Sequence, residues 1–220
     1  MGQEETNEKQ YWRQVILDNT HYHEQFIDII LAHIKQLNSD LETTTLKHKS
    51  NPEPDESGWR LDDHLGDMSH DIDVMSNTLF KSFVLAVLMY MESKLLGLCD
   101  HLQKEEKQKF NVRDLEGTGM RRSIKYLNLI LDTNFVQDAQ LKKDLMVAIL
   151  IRNSITHADG VVDNKEDRSS IQKYMDTHPS SISLDSDDNL FINENYAREL
   201  ISINEKIFEI ISYNWRSVDL

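Results

Sequence analysis

The sequence predicts an all-α protein with one small β-hairpin before its last helix. Its 220 residues include only three Pro and seven Gly, which is few for the many turns of a multistranded sheet. Apolar residues recur at three- and four-residue steps along several long segments, as they do on the buried side of a helix. Near the C-terminus, two short apolar runs instead flank a polar turn, which is typical of a hairpin.

Two long helices are predicted in the first half of the chain. The first covers residues 8–46, and residues 49–70 follow as an acidic loop with one large anchor, Trp59. The second covers residues 72–99, and its centre is apolar nearly all round, which predicts burial in the core or at an oligomer interface. The apolar positions predicted to face inward from the first helix are Trp12, Val15, Ile16, Tyr22, Phe26, Ile29, Ile30, Ile34, Leu37 and Leu41.

The middle of the chain predicts three shorter elements. Residues 101–110 continue as a charged helix, residues 117–119 form a glycine-rich loop, and residues 119–131 form the next helix. A further helix covers residues 137–157, and Gly160 follows it as a left-handed cap. Six consecutive apolar residues near the end of that helix predict a central position in the fold.

The last part of the chain predicts the hairpin and the closing helix. Residues 161–192 lack a helical period, and residues 182–184 and 190–192 are the expected strands around a polar turn. Asn193 is a suitable N-cap for a last helix over residues 194–214. The predicted domain organisation is an accessory N-terminal element, residues 1–60, packed on a main helical domain, residues 61–220.

Charge and cysteine content narrow the functional classes. The net charge of −14 opposes nonspecific binding to nucleic acid, because phosphate contacts need cations. Residues 101–126 are an exception, with seven Lys or Arg against four acidic residues, so they predict either a local RNA-binding face or a solvated helix surface. The single cysteine, Cys99, is expected to be buried and inert. The longest apolar run, residues 83–91, is short of the ~20 residues of a membrane span, so a cytoplasmic protein without a membrane partner is expected.

The segment from Ile151 to Gly160 reads Ile-Arg-Asn-Ser-Ile-Thr-His-Ala-Asp-Gly. Its R-N-x-x-x-H pattern at the end of an apolar helix resembles the R-x4-6-H signature of the HEPN superfamily. The resemblance covers roughly residues 75–215. It implies a HEPN-like helical bundle and a metal-independent endoribonuclease that works as a homodimer, with two motifs lining one cleft.

The candidate site residues follow from this motif. His157 is the expected base or acid, because histidine exchanges protons near neutrality. Arg152 offers two parallel donors to phosphate oxygens, and Asn153 is expected to orient the histidine or bind the phosphate. HEPN proteins often carry an acid on the earlier core helix, and Glu92 matches that place, although a plain salt bridge or a solvated carboxylate is equally compatible. The expected RNA-binding cations near the cleft are Arg121 and Arg122.

Two other functions remain open. The domain is either a non-catalytic HEPN-type module that binds RNA, a nucleotide or a protein, or a structural dimer in which Arg152 and His157 only cap and pair. As an enzyme it would belong to a toxin–antitoxin, phage-defence or RNA-processing system, with RNA and an antitoxin or regulatory protein as partners. Asp159 stands where HEPN toxins paired with minimal nucleotidyltransferases often have Tyr, which argues against regulation by modification of that Tyr.

No cofactor or metal is expected. His21 and His23 lie ~200° apart on one helix and therefore cannot share an ion. The His and Asp residues at positions 64–73 are interpreted as a solvated acidic loop, and residues 185–189 as a turn. The sequence contains no G-x-x-x-x-G-K, G-x-G-x-x-G, H-E-x-x-H or G-x-S-x-G pattern, so it offers nothing for nucleotide-fold, zinc-protease or serine-hydrolase assignments.

Overall fold

The computed structural model describes residues 2–50, 61–105, 110–130 and 138–217. Within these ranges the fold is all-α with one antiparallel hairpin directly before the last helix, so the predicted fold class is confirmed. A short 3-10 turn at Val112–Asp114 precedes the third helix. The elements are α1 (Gly2–Ser50), α2 (Leu61–Glu105), α3 (Gly119–Ile130), α4 (Ala139–Ala158), α5 (Lys165–Thr177), β1 (Ile182–Leu184), β2 (Leu190–Ile192) and α6 (Glu194–Ser217).

α2 is the central helix. α1, α3, α4 and α6 all pack against it, and β2 contacts it as well. Its buried residues recur at three- and four-residue steps, which places them on one broad face of the helix. The fully or almost fully buried side chains of its centre are Phe83, Val84, Val87, Leu88, Met91, Leu95, Leu98 and Cys99.

No described residue covers one side of α2, so its apolar centre forms the core but is not buried all round within the described part of the chain. Met89 is 62% exposed, and Ala86 is exposed one turn earlier. Between His64 and Lys104, an 18-residue window is long and apolar enough by composition to cross a membrane, and 44% of it is buried inside the structure. A core helix passes the same test, so the absence of a membrane partner stays a prediction.

α1 packs into the same core through a face that overlaps only in part with the predicted one; the side chains of Trp12, Val15 and Ile16 lie outside the described part of the chain. Ile30 is buried as expected, but Tyr22 and Ile29 are 62% and 66% exposed, while Ile27 and His23 are buried. The prediction was wrong for Tyr22 and Ile29 because α1 has apolar residues on both sides, and only its contacts with α2 and α6 determine which side is buried. The helix also continues to Ser50 rather than ending at residue 46.

Two further predictions were wrong. Residues 61–70 belong to α2 rather than to an acidic loop. Trp59 and the predicted domain boundary at residue 60 lie outside the described part of the chain. Residues 106–109 of the predicted charged helix also lie outside it. The segment after α4 contains α5, whose start is capped by Asn164. α5 was missed because only a narrow stripe, including Ile171 and Tyr174, is buried, which is too little for a clear helical period.

The hairpin has the predicted strands and turn. Ser183 pairs with Phe191, and the carboxylate of Asp185 accepts the backbone N–H groups of Asp187 and Asn189 across the turn. Asn77 of α2 holds β2 from the side: its Nδ2 donates to the carbonyl of Leu190 at 3.2 Å and its Oδ1 accepts from N–H of Ile192 at 3.0 Å. The hairpin is thereby fixed to the central helix.

α6 begins as predicted. The Oδ1 of Asn193 accepts the N–H groups of Asn195 and Tyr196, at 3.0 Å and 3.4 Å, which satisfies two of the free donors of the first turn. The helix continues to Ser217, three residues beyond the predicted end. Its inward residues Leu200, Ile203, Ile207 and Ile211 are buried, and Ile210 packs against them from a partly buried position.

Candidate active site

Arg152 of α4 forms an ion pair with Glu92 of α2. Its Nη2 donates to Oε2 of Glu92 at 2.7 Å, and its Nη1 donates to Oδ1 of Asn153 at 3.1 Å. The two charged side chains are 29% and 31% exposed. The ion pair therefore sits at the surface end of the α2–α4 contact, open to a ligand on one side. Of the alternatives for Glu92, the salt bridge to a neighbouring helix is the one observed, and its partner is the arginine of the motif.

The first residue of α3 lies against the same carboxylate. Gly119 has φ +56°, and a Cβ at this position would lie 3.0 Å from Oε1 of Glu92. Glycine is therefore required here both for the left-handed backbone and for the close approach. The N-terminus of a helix carries partial positive charge, so the start of α3 and the guanidinium of Arg152 both place positive charge beside the carboxylate of Glu92.

These groups border a pocket of about 200 Å³. Four of the six predicted site residues line it: Glu92, Arg152, Asn153 and Arg121. Leu88 and Ile149 form its apolar part, and Thr118 contributes a hydroxyl. Arg121 is exposed and forms no ion pair with any described residue. The pocket thus has two cations against one carboxylate, a balance that suits an anion.

His157 and Arg122 are the two predicted residues that do not line this pocket. His157 is exposed in the last turn of α4, and its side chain has no hydrogen bond to any described residue. Five residues along a helix correspond to a rotation of roughly 140° and a rise of about 7.5 Å, so His157 lies beyond Arg152 and turned away from it. Arg122 is partly buried on the other side of α3, next to Gly117.

The end of α4 behind His157 is tightly fixed. Asp159 and Gly160 both have left-handed backbones, with φ 52° and 89°, so the predicted glycine cap is confirmed and Asp159 joins it. The N–H of Gly160 donates to the carbonyl of Ser154 at 2.9 Å. Lys81 of α2 donates from Nζ to the carbonyl of Asp159 at 3.2 Å, and a Cβ at residue 160 would collide with that ammonium group.

Lys81 was missed by the sequence analysis, although the sequence contains a signal for it. It precedes Glu92 by eleven residues, which is close to three helical turns, so the two side chains share one face of α2. A cation at a helix C-terminus is stabilising. One face of α2 therefore holds both ends of the motif: Glu92 binds Arg152, and Lys81 binds the turn after His157.

The other candidate sites have structural explanations. His23 is buried, stacks edge-on against Tyr90 and Phe83, and has its pKa lowered by that burial. Cys99 is buried as predicted, and burial raises the pKa of its thiol to about 12. No group of three or more His, Cys, Asp or Glu side chains within the described ranges is arranged to hold a metal ion.

Comparisons with known proteins leave the site to be interpreted from its own geometry. No protein-family model, curated protein or solved structure matches this chain. Membership of the HEPN superfamily therefore stays a prediction from the motif. The groups that the fold brings together at the end of α4 are the features that point to a function.

Proposed function

We propose that this protein is a HEPN-type, metal-independent endoribonuclease whose catalytic residues are Arg152, Asn153 and His157. The observation that carries the proposal is the Glu92–Arg152 ion pair, because it holds the motif's arginine at the mouth of a cationic pocket. If Arg152 served only to pack the core, its exposure beside Arg121, which forms no ion pair with a described residue, would have no explanation. His157 lies further along the same helix, accessible to substrate.

Arg152 binds the phosphate in this proposal. A guanidinium has five N–H donors, and two are used by Glu92 and Asn153. The remaining donors are available to phosphate oxygens while Glu92 fixes the plane of the group, and such preorganised charge is an effective way to stabilise a transition state. Glu92 neutralises the charge of Arg152, and Arg121 supplies a second positive charge at the same pocket. Arg122, which is turned away, has at most an indirect role in this proposal.

His157 transfers the proton. As a base it removes the proton of the 2′-hydroxyl, and the O2′–P bond forms. The P–O5′ bond breaks as the departing 5′ oxygen takes a proton from the protonated His157 of the partner subunit. The products are a 2′,3′-cyclic phosphate and a 5′-hydroxyl. Because the nucleophile belongs to the RNA itself, DNA is not a substrate.

Two copies of the chain are required by this chemistry. One histidine does not serve easily as both base and acid in a single step, and His157 lies outside the pocket that contains Arg152 of its own chain. A homodimer with the two α4 ends facing each other places the partner's motif across the cleft. The proposed partners are therefore RNA, a second copy and, in a toxin-type system, a neutralising protein in the cytoplasm.

A second function is favoured by two features of the same site. Arg152 is already bonded within its own chain, and the described pocket does not include His157. Both features suit a non-catalytic HEPN-type module that binds RNA, a nucleotide or a protein partner. This alternative predicts binding without cleavage and no effect of replacing His157 on affinity.

The test compares wild type with His157→Ala and Arg152→Ala on a mixed RNA pool in the presence of EDTA. His33→Ala is the matched control, because His33 is also exposed on a helix but lies on α1. We expect cleavage by wild type and by the control, none by the two motif variants, and a dimer in light scattering for all four. If wild type cuts nothing, or if all variants cut equally, the enzyme assignment is wrong.

A further inference from the structure

A second, larger groove lies between α3 and α4. It has a volume of about 410 Å³, which is in the ~300–1,000 Å³ range of small-ligand sites. Three cationic side chains border it, Arg121 and Lys125 from α3 and Lys142 from α4, and all three are exposed. Among the described residues, no carboxylate lines the groove. Three cations at one groove stand out in a chain of net charge −14.

The charge on α3 has a cost to folding. α3 contains Arg121, Arg122 and Lys125 and no acidic residue. Arg121 and Lys125 are four residues apart on one face, where like charges destabilise a helix. An anionic ligand bound between them would offset this repulsion.

The floor of the groove is apolar. Ile124 and Met146 are partly buried there, and Leu129 is 56% exposed at its edge. A flat apolar group is therefore accommodated between the cations. The combination of an apolar floor and a cationic rim matches a nucleotide, which joins a base to a phosphate, since bases pack against apolar and guanidinium surfaces.

Arg121 connects the two sites. It lines the groove and also the pocket that contains Arg152. A single strand that passes Arg121 would therefore be in contact with both sites. The pocket and the groove therefore meet at one arginine side chain.

We propose that the α3–α4 groove is a flanking-nucleotide subsite of the same RNA strand. The neighbouring base lies on Ile124, Leu129 and Met146, and the phosphates beside it contact Lys125 and Lys142. This inference rests on the proposed RNA function and adds where the strand leaves the reacting phosphate. It predicts that affinity for RNA depends on residues that have no part in the chemistry.

The test measures binding of a fluorescent, single-stranded 2′-O-methyl RNA by anisotropy, because this RNA has no nucleophile and stays intact. Lys125→Glu/Lys142→Glu is compared with Lys35→Glu/Lys173→Glu, which makes the same charge change at exposed positions on α1 and α5. We expect binding at least about tenfold weaker for the groove variant than for the control. Its slope of log affinity against log salt should fall by about 1.4, which corresponds to two lost phosphate contacts.

Lys125→Gln/Lys142→Gln is a second variant for the case that the Glu substitutions impair folding. It removes the two positive charges without reversing them, and its affinity for the RNA should also be lower than that of wild type. Equal affinity of groove and control variants for the RNA would overturn the proposal. So would a loss of binding to phosphatidylserine vesicles or to an acidic peptide with RNA binding intact, since the groove would then serve another ligand.

The outcome is separable from that for the enzyme. If wild type binds RNA through the groove but cleaves nothing, the subsite stands and the endoribonuclease assignment fails. If wild type cleaves, His157→Ala does not, and the groove variant binds and cleaves like its control, the enzyme stands and the subsite fails. If wild type does not bind the RNA, the subsite is excluded.

Discussion

Arg152 and Glu92 are 60 positions apart in the sequence, yet Nη2 of one donates to Oε2 of the other at 2.7 Å. This contact joins the motif helix α4 to the central helix α2 at the point where α3 begins. Since both side chains are about one-third exposed, the pair is expected to contribute little to stability and much to the position of the guanidinium.

Replacing Glu92 should separate these two contributions. Glu92→Gln removes the charge but keeps the shape, so the free energy of unfolding should fall by no more than about 1 kcal/mol. RNA cleavage should fall at least about tenfold, because Arg152 is no longer held in one orientation. Chemical denaturation and initial cleavage rates measure the two effects.

The control for this change is Glu194→Gln, which breaks the exposed ion pair between Glu194 and Arg198 in the first turns of α6. It should have a similarly small effect on stability and no effect on cleavage. A large loss of stability in Glu92→Gln, with cleavage unchanged in the protein that remains folded, would make the Glu92–Arg152 pair purely structural.

Two glycines near α3 provide a matched pair for testing the close approach to Glu92. Gly117→Ala and Gly119→Ala both force a side chain into a left-handed backbone, with φ +105° and +56°. Each should therefore destabilise the fold by about 1 kcal/mol or more. Only Gly119→Ala also pushes a Cβ against the carboxylate of Glu92.

We therefore expect lower RNA binding and cleavage for Gly119→Ala than for Gly117→Ala at equal stability. Thermal unfolding, anisotropy and initial cleavage rates of the two purified variants are the measurements. Identical binding by the two proteins would mean that the start of α3 does not set the geometry of the pocket.

Stability should depend on pH through His23. Burial lowers the pKa of His23 in the folded protein, so below about pH 6.5 the unfolded chain takes up this proton more readily than the folded chain. The free energy of unfolding should fall as the pH drops from about 6.5 toward the folded-state pKa. His23→Phe, which keeps an aromatic ring beside Tyr90 and Phe83, should flatten that part of the pH profile.

Glu205 acts in the opposite direction and must be separated from His23. Burial, together with the nearby charges of Glu24 and Glu209, raises the pKa of Glu205, so its contribution favours folding at low pH and is lost as the pH rises through the folded-state value. His21→Gln is the control for His23, because His21 lies two residues earlier on α1 and is exposed. Denaturation of wild type and both His variants across this pH range is the measurement, and an unchanged slope in His23→Phe would contradict the assignment.

Asn77 should be one of the costliest polar residues to replace. Asn77→Ala leaves the carbonyl of Leu190 and the N–H of Ile192 without their side-chain partner, and each unsatisfied group at a partly buried site costs about 1–3 kcal/mol. We expect a loss of about 2–4 kcal/mol in chemical denaturation, against less than about 0.5 kcal/mol for Thr78→Ala at the next, exposed position. Fast hydrogen exchange at Ile192 in the variant would identify the hairpin as the part released.

The sequence allowed good prediction wherever local chemistry decides the structure. The hairpin strands, the Asn193 cap and the left-handed turn at Gly160 all depend on residues within a few positions of each other. Arg152, Asn153, Glu92 and Arg121, four of the residues chosen as site candidates, line one pocket, and their catalytic roles stay predictions.

Prediction failed wherever tertiary contacts make the choice. On α1, the exposed Tyr22 and Ile29 are as apolar as the buried Ile27, so composition could not identify the inward face. α5 has too narrow a buried stripe to stand out from its polar neighbours. The approach of Gly119 to Glu92 joins residues far apart in sequence, and nothing local to the Gly117–Gly119 loop indicates which carboxylate it meets.

Because Arg121 borders both the pocket and the groove, occupancy of the two cannot be independent. A ligand bound at either site holds this exposed side chain in a single rotamer. Binding at the other site then requires no further loss of side-chain entropy from Arg121. By thermodynamic reciprocity, each site then raises the affinity of the other by the same factor. The protein would accordingly bind a continuous strand more tightly than two separate nucleotides. A short substrate that fills one site would lose the cooperativity between the sites as well as the contacts of the other site.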